Sequence, residues 1–565
     1  MNNSSSTNLA DNEENKMADN PSTTTSTTTE EDRGGHHLSL IQKLAISMGH
    51  VFNDLCAAFW FTYLLIFMHF VNQFNSNTSG TLMLVGQVAD GLATPFVGIE
   101  CDRRLDWFFC KYGRRKCWHL IGTLCVFLSF PFLFNQCIGC ANSPENSQMI
   151  YYAAFITIFQ FGWASVQISH LSLIPASTPS SSERIELNSY RYAFTVFANI
   201  AVYILMWLLL KTNDEEDGSQ ISPNDASTFR NVAFIIIAIG SVFSLIFHLG
   251  TRERNTDNDD EIRDQEQQQQ VSTISTNEKS VECRVTVWHG WFQQIRFYKV
   301  ALLYMGTRLT INLTQVYIPN YLQETLRLPK KSVAYIPLVT YTSGFVSSFL
   351  LKYINQKLGK KVNNNNKMAN RLIKVYNLQQ ITFLIGAILS LGACTWIYFG
   401  TNEGFKQWGI FIVSIIIGAS NSIMLITSLG ITNDLIGKNT ASGSFVFGAM
   451  SFVDKVSNGL AVWLIEHFKP CATFSCIICD YYYRDILTFV CGGATALAIA
   501  SLALMLMDKK KKLSLMNEHP TSTTIAAATI IDPNLTPISG ENIIDDDDEP
   551  NLLTPLLNNN RSTRR

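Results

Sequence analysis

The sequence predicts an all-α membrane protein with twelve transmembrane helices in two six-helix halves. Three observations predict it. The 565 residues contain twelve apolar stretches, and roughly 20 helical residues suffice to cross a bilayer. A hydrophilic stretch at 251–290 divides them six and six. Every third stretch has no Asp, Glu, Lys or Arg in its middle, which suggests three-helix units, two lining a cavity and one on the periphery. Internal repeats of that kind mark transporters that work about a midplane site.

The stretches lie near 44–71, 80–99, 118–136, 150–174, 190–210, 230–249, 298–320, 332–353, 378–400, 407–430, 443–466 and 485–507. The second and eleventh are the weakest, since both carry many Gly, Ser and charged residues. Hydrophobic residues make up only 47% of the chain because hydrophilic segments dilute the core. Residues 1–38 are expected to be a disordered tail, 39–250 the first half, 251–290 a disordered linker, 291–508 the second half and 509–565 a second disordered tail. Such Ser, Thr, Asn, Asp and Gln-rich segments cannot bury a core. The run VNNNNK at 362–367 is a similar insertion. No basic segment followed by a short apolar run opens the chain, so the first helix is expected to act as the insertion signal. A net charge of −2 gives no general attraction to nucleic acid.

Basic residues set the orientation. Arg103, Arg104, Lys111, Arg114, Arg115 and Lys116 follow the second stretch. Lys352, Lys357, Lys360, Lys361, Lys367, Arg371 and Lys374 follow the eighth, and Lys509 to Lys512 the last. The connections at 72–79 and 137–149 have no Lys or Arg. Positive residues stay on the cytosolic side, so both termini are expected there. The connection at 321–331, with Arg327, Lys330 and Lys331, runs against the trend.

The polar residues form stripes. His50, Asp54 and Ala57 share a face of the first helix, with Asn53 beside them. Gln87, Asp90, Thr94 and Gly98 recur at helical spacing in the second stretch, and Gln160, Trp163, Gln167 and His170 in the fourth. Arg308, Asn312 and Gln315 do so in the seventh, and Ser451, Asp454, Lys455 and Asn458 in the eleventh. Charges at membrane depth are costly and by default functional. Acid is biased to the first half and base to the second, so some pairs should form across the central axis. The binding set is therefore Asn53, Asp54, Asp90, Trp163, Gln167, Arg308, Asn312 and Lys455. Arg308 could fork onto an anionic group. Asp54 and Asp90 could hold a cation or exchange a proton, with Lys455 as an internal counter-cation. The competing reading is a static network of ion pairs that only holds the halves together. On that view His170 is a satisfied structural histidine and Trp163 is core.

The connection after the second stretch reads Gly98-Ile-Glu-Cys-Asp102-Arg103-Arg104, then Lys111-Tyr-Gly113-Arg114-Arg115-Lys116. It resembles the loop motif of the major facilitator superfamily. That resemblance implies a cytosolic gating latch of Asp102, Arg103, Arg114 and Arg115. A degenerate copy, Leu358-Gly359-Lys360-Lys361, follows the eighth stretch without its acid. A finer resemblance is to the glycoside–pentoside–hexuronide cation symporters. It rests on Asp54, on Asp90 with Pro95 and Gly98, on Glu183-Arg184, Leu187 and Arg191, and on Lys455. That family's additional Asp just before the Pro is Thr94 here, a departure that bears on sodium coupling. Longer strings, among them GHVFNDLCAAFWFTYLL, GQVADGLATPFVG, FQFGWASVQISHLSLIP and FVFGAMSFVDKVSNGLAV, resemble the major facilitator family of lysosomes and pigment organelles that brings cysteine into them. The tails and the 362–367 insertion do not share that resemblance.

Further signals bear on location. Asp548 stands four residues before Leu552-Leu553, an acidic dileucine pattern that clathrin adaptors read for sorting to endosomes and lysosomes. Asn77-Thr-Ser, in the first non-cytosolic connection, is a glycosylation acceptor, whereas Asn312-Leu-Thr lies inside a helix. Cys137, Cys140, Cys471, Cys476 and Cys479 face the same compartment. Disulfides suit an oxidising lumen, but their pairing stays open.

Together these readings describe a secondary-active transporter of the lysosomal membrane that imports cysteine from cytosol to lumen by alternating access. The alternative of the same fold is a cation-coupled symporter of a sugar or lysolipid. A sensor or scaffold is the alternative of another class. No metal-ligand spacing, nucleophile elbow or phosphate loop supports an enzyme, no cofactor is implied, and coupling to a proton or to sodium stays open.

Overall fold

A computed structural model of the chain describes residues 38–102, 112–178, 180–212, 219–253, 288–362, 378–437, 443–470 and 480–518. Both expected tails and the middle of the 251–290 linker lie almost wholly outside the described residues. Among those residues are twelve long helices and no strand. They are α1 (Leu40–Val71), α2 (Ser76–Asp102), α3 (Arg114–Leu133), α4 (Glu145–Ser177), α5 (Ser181–Thr212), α6 (Ala226–Gly250), α7 (Ile295–Asn320), α8 (Ser332–Val362), α9 (Leu378–Phe399), α10 (Ile410–Ile436), α11 (Gly443–His467) and α12 (Cys491–Glu518).

Ten of these are long and apolar enough to cross a membrane by composition alone. The other two are α7 and α11, each membrane-length but loaded with polar residues. Their polar stripes lower the apolar content, not the helix. The weak second stretch passes the composition test as α2. Two helices outrun their expected ends. α8 continues to Val362 and α12 to Glu518, ten residues into the tail expected from 509. Leu, Lys and Met are good helix formers, so the helix need not stop where the apolar run stops.

Local chemistry fixes several ends. Ser39 caps α1 in a reciprocal box with Gln42, satisfying backbone donors that the first turn leaves open. The ends of α1 and α7 repeat one another. Each closes in a π turn, Phe67–Val71 and Tyr321–Thr325. Each then places a non-glycine residue in the left-handed region, Gln73 at φ 56 and Arg327 at φ 52. In each, the following amide returns to the helix: Phe74 N–H to the Met68 carbonyl at 3.0 Å, Leu328 N–H to that of Leu322 at 2.9 Å. Such a conformation is uncommon outside glycine, so its appearance at both places marks two copies of one fold.

Packing obeys the same repeat. In the first half α1 packs on α5 and α6, and α4 on α2 and α3. In the second half α7 packs on α11 and α12, and α10 on α8 and α9. The halves meet where α2 packs on α11, α5 on α8 and α1 on α7. Among the described elements α3, α6, α9 and α12 pack chiefly within their own half. They are the helices that lack mid-span charges, and they carry exposed apolar residues such as Leu124, Leu245, Ile388 and Leu504 for lipid. Glycines set the closest approaches, as small residues do between membrane helices. A Cβ at Gly459 of α11 would lie 2.7 Å from the Gln87 side chain of α2.

The core shows how the halves are posed. With twelve helices both termini emerge at one end of the bundle, here called the terminal end. At the opposite, far end a single apolar cluster joins both halves, with Tyr63, Phe67 and Phe134 against Tyr317, Tyr321 and Tyr483. At the terminal end each half has a cluster of its own: Ile46, Ile174 and Leu187 in the first, and Phe297, Leu303 and Leu435 among others in the second. The halves therefore close on each other at the far end and part at the terminal end.

Candidate functional site

Between the halves lies a cavity of about 420 Å³. Eight helices line it: α1, α2, α4, α5, α7, α8, α10 and α11. Among the described residues none from α3, α6, α9 or α12 lines it. A helix presents a polar stripe to the cavity because its other faces meet lipid or packed neighbours, where an unpaired polar group is penalised.

Of the expected binding residues, Asp54, Asp90, Trp163, Gln167, Arg308, Asn312 and Lys455 line the cavity. Asn53 does not; it is buried, with its amide donating to the Trp163 carbonyl at 3.4 Å. Two further members of the α4 stripe, Gln160 and His170, are also buried outside the lining.

Three charge groups stand on the walls. Lys455 Nζ of α11 donates to Asp90 Oδ1 of α2 at 2.5 Å and to Thr94 Oγ1 at 2.6 Å. This is an ion pair across the central axis, as the division of acid and base between the halves requires. The ammonium also stands 5.2 Å over the Trp163 ring, a cation–π contact. The second Asp90 oxygen is buried and has no hydrogen-bond partner. Arg308 Nε donates to Asp454 Oδ2 at 2.8 Å, and Asn312 and Asn458 donate to Asp454 Oδ1 at 3.2 and 2.6 Å. Asp454 is thus the tightly held partner, while the Arg308 side chain keeps 28% exposure toward the cavity it lines. Asp54 Oδ2 accepts from the Thr195 hydroxyl at 2.6 Å, and its Oδ1 lies 3.0 Å from His50 Nδ1.

Several lining residues escaped sequence reasoning. Tyr192, Thr195 and Asn199 of α5, Tyr341 of α8, and Asn421 and Ser422 of α10 all reach the cavity. Their helices carry polar stripes, but Thr and Ser inside a helix commonly bond their own backbone. Thr195 does so at 3.2 Å while also holding Asp54.

At the terminal end Arg114 and Arg115 open α3 and Asp102 is the last residue of α2, while Arg103 lies outside the described residues. An acid the sequence placed in the linker joins the basic cluster. Glu253 accepts from the backbone N–H of Arg115 and Lys116 at 3.0 and 3.1 Å, and from Arg115 Nη1 at 3.3 Å. A carboxylate there satisfies open donors at a helix N-terminus. Nearby, Lys43 of α1 pairs with Glu183 and Glu186 of α5.

The far end is closed by polar bonds between halves. His69 Nε2 lies 3.1 Å from Glu324 Oε1, and Lys469 Nζ lies 2.9 Å from the same oxygen. Lys330 Nζ pairs with Asp225 Oδ1 at 3.0 Å, and Tyr63 donates to the Val333 carbonyl at 3.2 Å. Asn77 is exposed at this end, its Oδ1 3.0 Å from His467 Nδ1. Cys137 and Cys140 are disulfide-bonded. Cys471, Cys476 and Cys479 and the sorting pattern at Asp548, Leu552 and Leu553 lie outside the described residues.

Comparison with known proteins matches this architecture. The family profile described as MFS/sugar transport protein matches residues 45–466. The chain is 43% identical over 481 residues to human major facilitator superfamily domain-containing protein 12, covering 83% of this chain and 94% of that protein. The mouse protein of the same name is also 43% identical, over 479 residues, with the same coverage. A more distant match is the inner membrane symporter YicJ of Escherichia coli, 23% identical over 36% of this chain and 42% of that one. Among solved structures, a D-xylose-proton symporter superposes with a TM-score of 0.54 at 14% identity, covering 80% of this chain and 96% of that one. The nucleoside transporter NupG gives 0.52 at 15% identity, covering 82% and 99%.

Proposed function

The chain belongs to the MFS/sugar transport protein family, and on that premise we propose that this multi-pass secondary transporter carries cysteine from the cytosol into the lysosomal lumen. The long-string resemblance to the lysosomal and pigment-organelle family supports both substrate and location. Both termini would be cytosolic, so the terminal end is the cytosolic mouth and the observed pose faces inward. An adaptor would read the C-terminal dileucine, and Asn77, exposed at the lumenal end, would carry the glycan.

The observation that carries the substrate reading is the opposed charge on the cavity walls. A zwitterion needs one site for a carboxylate and one for an ammonium. Arg308 keeps its outer edge available while Asp454 fixes its Nε, which orients the planar fork without neutralising its exposed part. Asp54 and Asp90 face it from the first half. Asp90 has an unpartnered oxygen for an ammonium, a cation or a proton. At about 420 Å³ the cavity lies in the range of small-molecule sites. Substrate ammonium arriving at Asp90 would compete with Lys455, loosening the bond that ties α2 to α11 and so coupling occupancy to the rocking of the halves.

The test is Arg308→Ala. It should abolish cysteine uptake while folding and sorting persist, and Arg308→Lys should not restore it, because a point charge lacks the bidentate fork. Retained uptake in Arg308→Ala would overturn the pose. Cation-coupled sugar transport is a second reading, favoured by the aromatic rings of Trp163, Tyr192 and Tyr341 on the cavity wall. Such a site would stack a sugar and would tolerate the loss of Arg308. Sodium-dependent sugar uptake that survives Arg308→Ala would establish it.

A further inference from the structure

Behind the cavity wall, in the first half, four histidines from four helices stand in sequence. They are His50 of α1, His170 of α4, His119 of α3 and His248 of α6. Consecutive ring centroids are 5.6, 6.1 and 4.9 Å apart. The first three are at most 3% exposed. None of the four lines the cavity, and the proposed transport site uses none of them.

Their arrangement begins with a defect in α1. The helix tightens to a 3₁₀ turn at Met48–His50, and two carbonyls around it take side-chain donors. His119 Nε2 lies 2.9 Å from the Gly49 carbonyl, and His170 Nε2 lies 2.7 Å from that of Ile46. A carbonyl only accepts, so both rings hold their proton on Nε2 and offer a lone pair at Nδ1. His119 Nδ1 therefore accepts from His248 Nε2–H at 3.1 Å. That leaves His248 Nδ1 to accept from the Tyr112 hydroxyl at 2.8 Å, on the exposed terminal surface. At the inner end His50 Nδ1 lies 3.0 Å from Asp54 Oδ1 on the cavity wall.

Three nitrogens in the middle are unusual. His170 Nδ1 and both nitrogens of His50 are buried without a hydrogen-bond partner, although His50 Nδ1 lies within ion-pair distance of Asp54. A buried acceptor left without a donor is penalised, so packing alone is a poor reason to keep such nitrogens on neighbouring rings. His50 Nε2 and His170 Nδ1 are each a lone pair able to take up a proton. The charged groups around the line are Asp54 and Arg191 at the inner end, and Lys116 with Glu253 at the outer end. Lys116 is itself tied to the carbonyls of His248 and Thr251.

We propose that Tyr112, His248, His119, His170 and His50 relay protons between the terminal surface and Asp54. The exchange balances. A proton reaching the Tyr112 oxygen releases the hydroxyl proton to His248 Nδ1. His248 passes its Nε2 proton to His119 Nδ1. His119, then protonated on both nitrogens, releases one proton to His170 Nδ1 as its ring turns; His170 hands that proton on to His50 Nε2, and His50 gives its Nδ1 proton to Asp54. One proton has moved and every ring has regained one N–H. Phe247 packs on His119 at 4.3 Å and on His170 at 5.6 Å, so an apolar ring stands at the step between them. An interruption of that kind is what coupling needs, since a line continuous in every state would leak protons.

The relay rests on the transporter reading and is tested in proteoliposomes of the full chain with radiolabelled cysteine. One readout is cysteine exchange at equal pH, which needs no net proton movement. The other is accumulation driven by a pH gradient, with a trapped dye reporting protons. His119→Gln keeps a donor for the Gly49 carbonyl but cannot pass a proton; His248→Gln is a second, more exposed variant. Both should retain exchange and lose gradient-driven accumulation together with the dye response. Accumulation and proton movement equal to wild type in both variants would overturn the relay. Wild-type cysteine exchange without any proton movement would also overturn it, while leaving the substrate reading intact. Should the wild type fail to exchange cysteine, the substrate reading fails and proton release by the purified chain after a pH step decides the relay. A histidine-dependent release lost in His119→Gln supports it, and an unchanged release overturns it.

Discussion

At the scale of residues, Lys455 and Asp90 bear the heaviest electrostatic burden. Both are nearly or wholly buried, and each is the other's counter-charge. Removing one partner of a buried pair strands the other, at roughly 3–5 kcal/mol. Lys455→Ala should therefore lower the denaturation midpoint of the purified chain by more than Arg308→Ala, which leaves the stranded Asp454 still held by Asn312 and Asn458. Asp90→Asn combined with Lys455→Met should recover most of the loss. Equal effects of the two single variants would contradict this account of the pair. These charges were legible in the sequence because ionisable residues inside apolar runs stand out. Glu253 was not, since it sits in a hydrophilic stretch where one more acid carries no signal. Thr195 was not either, because its hydroxyl looks like any helix-interior threonine until Asp54 is placed beside it.

At the scale of elements, the far end is held by side chains from the ends of α1, α7 and α11. Glu324, just beyond α7, is the centre of that closure. Burial opposes its ionisation, but hydrogen bonds and charge from His69 and Lys469 outweigh burial and hold its carboxyl below the usual glutamate range. A depressed folded-state value contributes stability that is present above the unfolded value of about 4.3 and is lost as pH falls through the folded one. Acid below the ordinary glutamate range should therefore loosen this end. Melting temperature measured against pH should show an acid-side loss in the wild type that Glu324→Gln lacks. Parallel curves would count against Glu324 as the source. The helices themselves were readable from apolar length, and the split between eight lining helices and four peripheral ones from where charge falls. The breaks were not. Neither the 3₁₀ turn at Met48–His50 nor the π turns ending α1 and α7 leave a mark in apolar pattern, because each changes the bond ladder without changing composition. Asn53 was misplaced from the cavity for the same reason: helical spacing gives its angle to Asp54 but not how closely α4 packs over it.

At the scale of the whole molecule, one apolar cluster at the far end and separate clusters at the terminal end describe a carrier open toward its termini. Transport then requires α2 and α11 to separate at the far end. A Cβ at Gly80 of α2 would lie 2.7 Å from the Glu466 Cβ of α11. Disulfide Cβ atoms sit ~3.8 Å apart, so a small outward shift would admit a bridge. Gly80→Cys with Glu466→Cys should cross-link under oxidation and arrest transport, and a reductant should restore it. Transport that continues with the bridge formed would contradict rocking about this site. The twofold repeat behind that motion was visible as a period of three in the charges, and it reappears in matched packing and in the twin ends of α1 and α7.

Cysteine is the proposed cargo of the cavity. The most direct measurement is uptake of radiolabelled cysteine into isolated lysosomes with and without this protein, at two lumenal pH values. The account predicts uptake that appears only with the protein and is lost in Arg308→Ala. Uptake that is the same without the protein would contradict the substrate while leaving the fold and its cavity in place.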